Sequence, residues 1–112
     1  MSGDARGMFI SKIWGTRAKE NSHDQITIDN AEGGIGLTAA KYGNAQRALI
    51  TIEGATGVQI RFTFDGTAPT STVGHLADVG DIIELESAED IANFKAIRTA
   101  STSAIISATY SN

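Results

Sequence analysis

No cysteine occurs in this chain, so neither a disulfide nor a thiolate metal site is available to hold it together. Its single proline, Pro69, stands against 12 glycines, and aromatic residues make up only 6% of the sequence. Few rings are therefore on hand to stack against a flat ligand. Long hydrophobic runs are missing as well. The densest early cluster, "MFI" and then "IW" across positions 8–14, is broken by Ser11 and Lys12 and falls short of the roughly 20 apolar residues of a membrane span. It is also too short for a signal-peptide core, and the expectation is a soluble, unprocessed chain with no membrane partner. Basic residues are outnumbered, 9 Lys and Arg against 13 Asp and Glu, for a formal charge of −4, and they form no run. That balance repels phosphate backbones and argues against direct nucleic-acid binding.

What is present describes a folded domain. With 112 residues, 41% hydrophobic and 20% charged, the chain has room for one core and lacks the apolar-poor composition of disorder. Abundant Thr, Ser, Ile and Ala, with so much glycine, favour short strands joined by tight turns. The expected class is all-β: a small antiparallel β-sandwich or barrel of about six to eight strands, preceded by an extended N-terminal arm.

Residues 1–25 read as the arm and residues 26–112 as the sandwich domain. Within the arm, Phe9 and Ile13, and Ile10 and Trp14, are spaced four apart, as on one or two helical turns, but Gly7 and Gly15 fence the cluster in. Those four side chains either fold back on the sandwich or are buried by a partner, because an exposed patch of this kind invites association. Strand patterning starts at Ile26. In "AQRALITIEG", Ala48, Ile50 and Ile52 alternate with Arg47, Leu49, Thr51 and Glu53. The linker "GATG" has hairpin length, and "VQIRFTFD" then places Val58, Ile60, Phe62 and Phe64 on one face. "DIIELES" alternates again, Ser87 with Asp90 resembles a capping box opening a helical turn through Ile91, and "FKAIRT" and "TSAIISATY" close the domain around a turn at "TAS".

The loop in "FTFDGTAPTSTVGHLADVGD" carries the densest set of functional groups. Ser71, His75 and Asp65 or Asp78 are the residue types of a hydrolytic triad, but no strand-turn-helix nucleophile elbow accompanies them. Asp65, Asp78 and Asp81 offer oxygen ligands at a spacing that matches no calcium loop. Turn chemistry accounts for the same residues: Asp65-Gly66 for positive φ, Pro69 for a fixed φ, Thr and Ser hydroxyls for loop backbone groups. The expectation is thus no catalytic residue, no metal and no cofactor, with Thr67, Thr70 and His75 as candidate loop contacts. Sugar binding is the alternative for a small β domain, with Trp14, Tyr42 and Tyr110 as candidate platforms. Charge is unevenly placed: Asp78, Asp81, Glu84, Glu86, Glu89 and Asp90 form a stretch without Lys or Arg, whereas Lys41, Arg47 and Arg61 precede it.

Taken together, "RALITIEG", "IRFTFDGTAPTSTVGHLADVGDIIELES", "FKAIRT" and "SATY" resemble small β-rich structural proteins of tailed bacteriophages and prophages. The resemblance spans residues 42–110 and leaves the arm uncovered. It implies a non-enzymatic virion component, either a head decoration or cement protein or a head-to-tail connecting protein, assembled in the cytoplasm of the bacterial host. Its implied partners are major capsid or neck proteins and further copies of itself, with a trimer favoured. Phe9, Ile10, Ile13 and Trp14 are the expected partner-binding residues, and the resemblance carries no active-site residue with it.

Overall fold

Residues 18–112 are described by the computed structural model, and in them the alternation of the sequence becomes two antiparallel four-stranded sheets packed as a sandwich. Phe9, Ile10, Ile13 and Trp14 lie outside the described residues. Eight strands are formed: β1 (Asp24–Ile28), β2 (Ile35–Gly36), β3 (Arg47–Glu53), β4 (Gln59–Thr63), β5 (His75–Asp78), β6 (Ile82–Leu85), β7 (Lys95–Arg98) and β8 (Ala104–Ser111). One sheet has the order β1-β8-β3-β6 and the other β2-β7-β4-β5.

Chain order and sheet order combine in an informative way: every connection between consecutive strands crosses from one sheet to the other, except β4 to β5. The "GATG" linker is therefore not a hairpin turn, since β3 and β4 lie in opposite sheets, and "VGD" and "TAS" likewise join strands of different sheets. Linkers this short suit either purpose, because packed sheets stand only about 10 Å apart. The polar segment at residues 64–74 is the one excursion that returns to its own sheet.

Burial follows the period-two pattern. Ala48, Ile50 and Ile52 of β3, Ile60 and Phe62 of β4, and Ala104, Ile106, Ala108 and Tyr110 of β8 face inward and are buried. Within each sheet the core is paired large against small: Ala48 stands opposite Tyr110 and Leu85, Ala108 opposite Ile50, Ala77 opposite Ile60, Ala96 opposite Phe62, and Ala104 opposite Ile28. Such pairing fills the interior at native density without forcing two bulky side chains into one layer. The expected helical turn after β6 runs over Ala88–Asn93, with the Ser87 hydroxyl accepting the Asp90 N–H at 3.0 Å, and it buries Ile91.

Residues 18–25, at the end of the expected arm, run along β8. Ala18 bridges to Ser111, the Lys19 N–H donates to the Tyr110 carbonyl at 2.8 Å, and β1 starts at Asp24. Asp24 is the centre of a buried polar cluster: its carboxylate accepts from the Tyr110 hydroxyl (2.9 Å), the Thr38 hydroxyl (3.1 Å) and the Thr38 N–H (3.1 Å). Tyr110 is fully buried. Burial first, and then the bond to Asp24, push its hydroxyl well above the ordinary tyrosine value of 10.0. This contribution to stability is complete below about pH 10 and is lost as pH rises beyond it, because unfolded chains release a proton that the folded state retains. In an absorbance titration at 295 nm, Tyr110 should stay neutral until the protein unfolds. A Tyr110→Phe variant should lose less of its remaining stability between pH 9 and pH 11; an equal loss in both proteins would contradict this assignment.

Candidate functional site

The 64–74 segment is organised by the strand that precedes it. β4 ends at Thr63, so Phe64, the last apolar residue of the alternation, lies past the end of the paired strand at the rim of the sandwich. It was expected on the core face with Phe62, but 37% of it is exposed against 9% for Phe62. Phe62 packs inward on Phe94, with ring centroids 5.8 Å apart, and outward on both Phe64 (6.3 Å) and His75 (5.3 Å). His75 occupies the β5 position directly opposite Phe62 and stacks on Phe64 at 5.8 Å and 24°. A row of rings thus leads from the core to the surface, ending in two exposed ones.

Beyond Phe64, the polar side chains shape the loop. Asp65 Oδ1 accepts the Thr67 N–H at 3.0 Å, and this bond, followed by one from the Thr67 hydroxyl, holds the Asp65 carboxyl below its ordinary value of 3.8. Thr63 donates to the Thr67 carbonyl, and the Thr70 hydroxyl accepts the N–H groups of Thr72 (3.2 Å) and Val73 (3.0 Å). Arg61 reaches across to the carbonyls of Ser71 (3.3 Å) and Gly74 (2.9 Å). Two glycines make the close packing possible. A Cβ on Gly74, at φ +122°, would lie 3.0 Å from the Phe62 carbonyl oxygen, and one on Gly34 would lie 3.0 Å from the buried Pro69 ring.

The result is a cleft of about 470 Å³ lined by Thr63, Phe64, Asp65, Thr67, Gly74 and His75. Two of the three candidate loop contacts, Thr67 and His75, are brought together there. Thr70 is not, because the turn it caps faces a second concavity beside Pro69, Glu32 and Arg98. The candidate sugar platforms are also redistributed. Tyr110 is buried beneath Asp24, and Tyr42 is half-buried, packed edge-on against Tyr110 at 5.9 Å. Trp14 lies outside the described residues. Phe64 is the exposed ring beside the loop, and its position as the last alternating residue before an Asp-Gly turn is the sequence signal that marks it.

No family model, curated protein or solved structure matches this chain.

Among the described residues, no hydrogen bond joins Ser71, His75 and either Asp65 or Asp78; the Asp78 carboxylate instead accepts from Gln59 Nε2 at 2.6 Å on the other face of the sheet. No three His, Asp or Glu side chains cluster among the described residues as a metal cage. What the cleft does offer is one apolar wall, one anionic acceptor and one imidazole, on a loop whose backbone is already tied down.

Proposed function

We propose that this chain is a non-enzymatic structural protein of a bacteriophage virion, which binds the capsid as a decoration or cement protein, or the head-tail neck, as a symmetric oligomer with a trimer favoured. In this reading the sandwich is a rigid body, and Phe9, Ile10, Ile13 and Trp14 attach it to the major capsid or neck protein. The observation that carries it is that the loop central to the resemblance to phage structural proteins is stabilised by its own Asp65, Thr67, Thr70 and Arg61 contacts, so its polar residues build shape. A body with a self-supporting surface loop is suited to sitting between other subunits. Charge supports attachment through the arm as well: residues 1–17 carry Arg6, Lys12 and Arg17 against Asp4, whereas the acidic excess lies in the remainder.

The test uses the full chain with Phe9, Ile10, Ile13 and Trp14 all changed to serine. Each buried apolar side chain is worth roughly 1.5–3 kcal/mol, so loss of even one contact predicts at least about a tenfold weaker association. Co-sedimentation with capsids assembled from the major capsid protein encoded in the same gene cluster, and with the corresponding neck complexes, should show the parent chain bound and the substituted chain in the supernatant. Equal binding by the two chains, or failure of the parent chain to bind either assembly, would remove this reading.

A further inference from the structure

We propose that the cleft bounded by Phe64, Asp65 and His75 is a saccharide-binding site, in which a pyranose ring lies against the exposed Phe64 ring and adjacent sugar hydroxyls donate to the Asp65 carboxylate. This goes beyond the structural role and does not rest on it, since it concerns the loop rim and makes no use of the arm.

Size, chemistry and rigidity support the assignment. At about 470 Å³, the cleft lies within the range of small-ligand sites and has room for one or two sugar rings. A pyranose presents an apolar C–H face and a rim of hydroxyls, so it needs an aromatic surface and nearby polar groups at once. Phe64 supplies the surface, its ring set by Phe62 and His75 behind and beside it. Asp65 supplies the acceptor: its carboxylate holds the Thr67 N–H and hydroxyl and, being exposed, keeps further lone pairs for a ligand. The exposed His75 ring, which has no hydrogen-bond partner among the described residues, adds a nitrogen that is a donor or an acceptor according to its tautomer.

Other ligand classes fit less well. A phosphate or nucleotide would meet the Asp65 carboxylate in a cleft with no Lys or Arg in its lining. A cationic peptide side chain would pair with Asp65, but an arginine or lysine brings only donors and meets the imidazole nitrogen only where its tautomer makes it an acceptor. A polyol serves both groups. The loop also requires little ordering on binding, because Arg61, Thr63, Thr70 and Pro69 already hold it in place, and a preformed site loses less affinity to immobilisation.

The experiment is an amide-resolved NMR titration of the full chain with maltotriose, cellotriose, tri-N-acetylchitotriose and lactose, with acetyl-arginine amide as the competing class. At least one sugar should bind with a dissociation constant on the order of 1 mM, as is usual for a ligand of this size on a single ring and carboxylate, and should shift the amides of residues 63–67, 74 and 75. Asp65→Asn keeps an oxygen for the Thr67 N–H but loses the anionic acceptor, and Phe64→Leu keeps apolar volume but loses the ring. Each should weaken that sugar by about fivefold or more with the remaining spectrum unchanged. Glu32→Gln, at the second concavity, should have no effect. The proposal is overturned if none of the four sugars shifts the cleft amides, if Asp65→Asn and Phe64→Leu bind as the parent does, or if acetyl-arginine amide shifts the same amides at lower concentration than every sugar, which would mark a protein partner instead.

Discussion

Replacing Asp24 with alanine is expected to destabilise the protein by about 2–4 kcal/mol, a fall in melting temperature of roughly 10–20 °C for a domain of this size. The loss comes less from the bonds removed than from the groups left behind. Tyr110 is fully buried, so without Asp24 its hydroxyl donor has no water to turn to, and the Thr38 N–H and hydroxyl lose the same partner. A second substitution separates these contributions. Tyr110→Phe removes the stranded hydroxyl, so in the Asp24→Ala background it should cost clearly less than it does in the parent chain, with a coupling of about 1 kcal/mol or more. Thermal and urea unfolding of the four proteins close the cycle. Additive effects would show that the 2.9 Å contact between the two side chains contributes nothing to stability.

That cluster also shows where sequence reasoning stops. Asp24 and Tyr110 are 86 positions apart, and Asp24 lies among polar residues with no alternation, so nothing local identifies it as a strand residue buried against β8. Period-two patterning, by contrast, was readable wherever one face met the core: Ala48, Ile50 and Ile52, and then Ile60 and Phe62, were each placed correctly by alternation alone. Sheet membership was not readable. A linker such as "GATG" closes a hairpin or crosses a sandwich with equal ease, and the choice depends on contacts with β6 and β8 that are remote in sequence. The structural role of the loop residues was legible from turn chemistry, because Asp65-Gly66, Thr70 and Pro69 act over two or three positions. Whether neighbouring residues shared a cleft was not. Thr67 and Thr70 are three apart but open on different concavities, and Phe64 follows the core pattern yet emerges at the rim because pairing ends one residue earlier.

The row of rings makes the second large effect specific to one side chain. Phe94→Ala is expected to cost about 3–5 kcal/mol, the usual range for emptying a fully buried aromatic site, and so roughly a fifth or more of the stability of a typical domain. Phe94 caps the C-terminal end of the Ala88–Asn93 helix, begins the run into β7, and lies 5.8 Å from Phe62 between centroids. Its loss therefore opens a void where the helix, β4 and β7 meet, and the neighbouring small residue, Ala96, has no volume with which to refill it. Urea denaturation should show the midpoint falling with the slope nearly unchanged, since the same surface is still exposed on unfolding. The effect should also reach the rim. Phe62 supports both Phe64 and His75, so a Phe62 ring that relaxes into the void shifts the His75 ring-proton resonances and weakens the sugar binding proposed for the cleft. If Phe94→Ala lowers stability by less than about 1 kcal/mol, or leaves the His75 resonances where they were, the rings do not act as one stack from core to surface and the exposed pair stands without support from below.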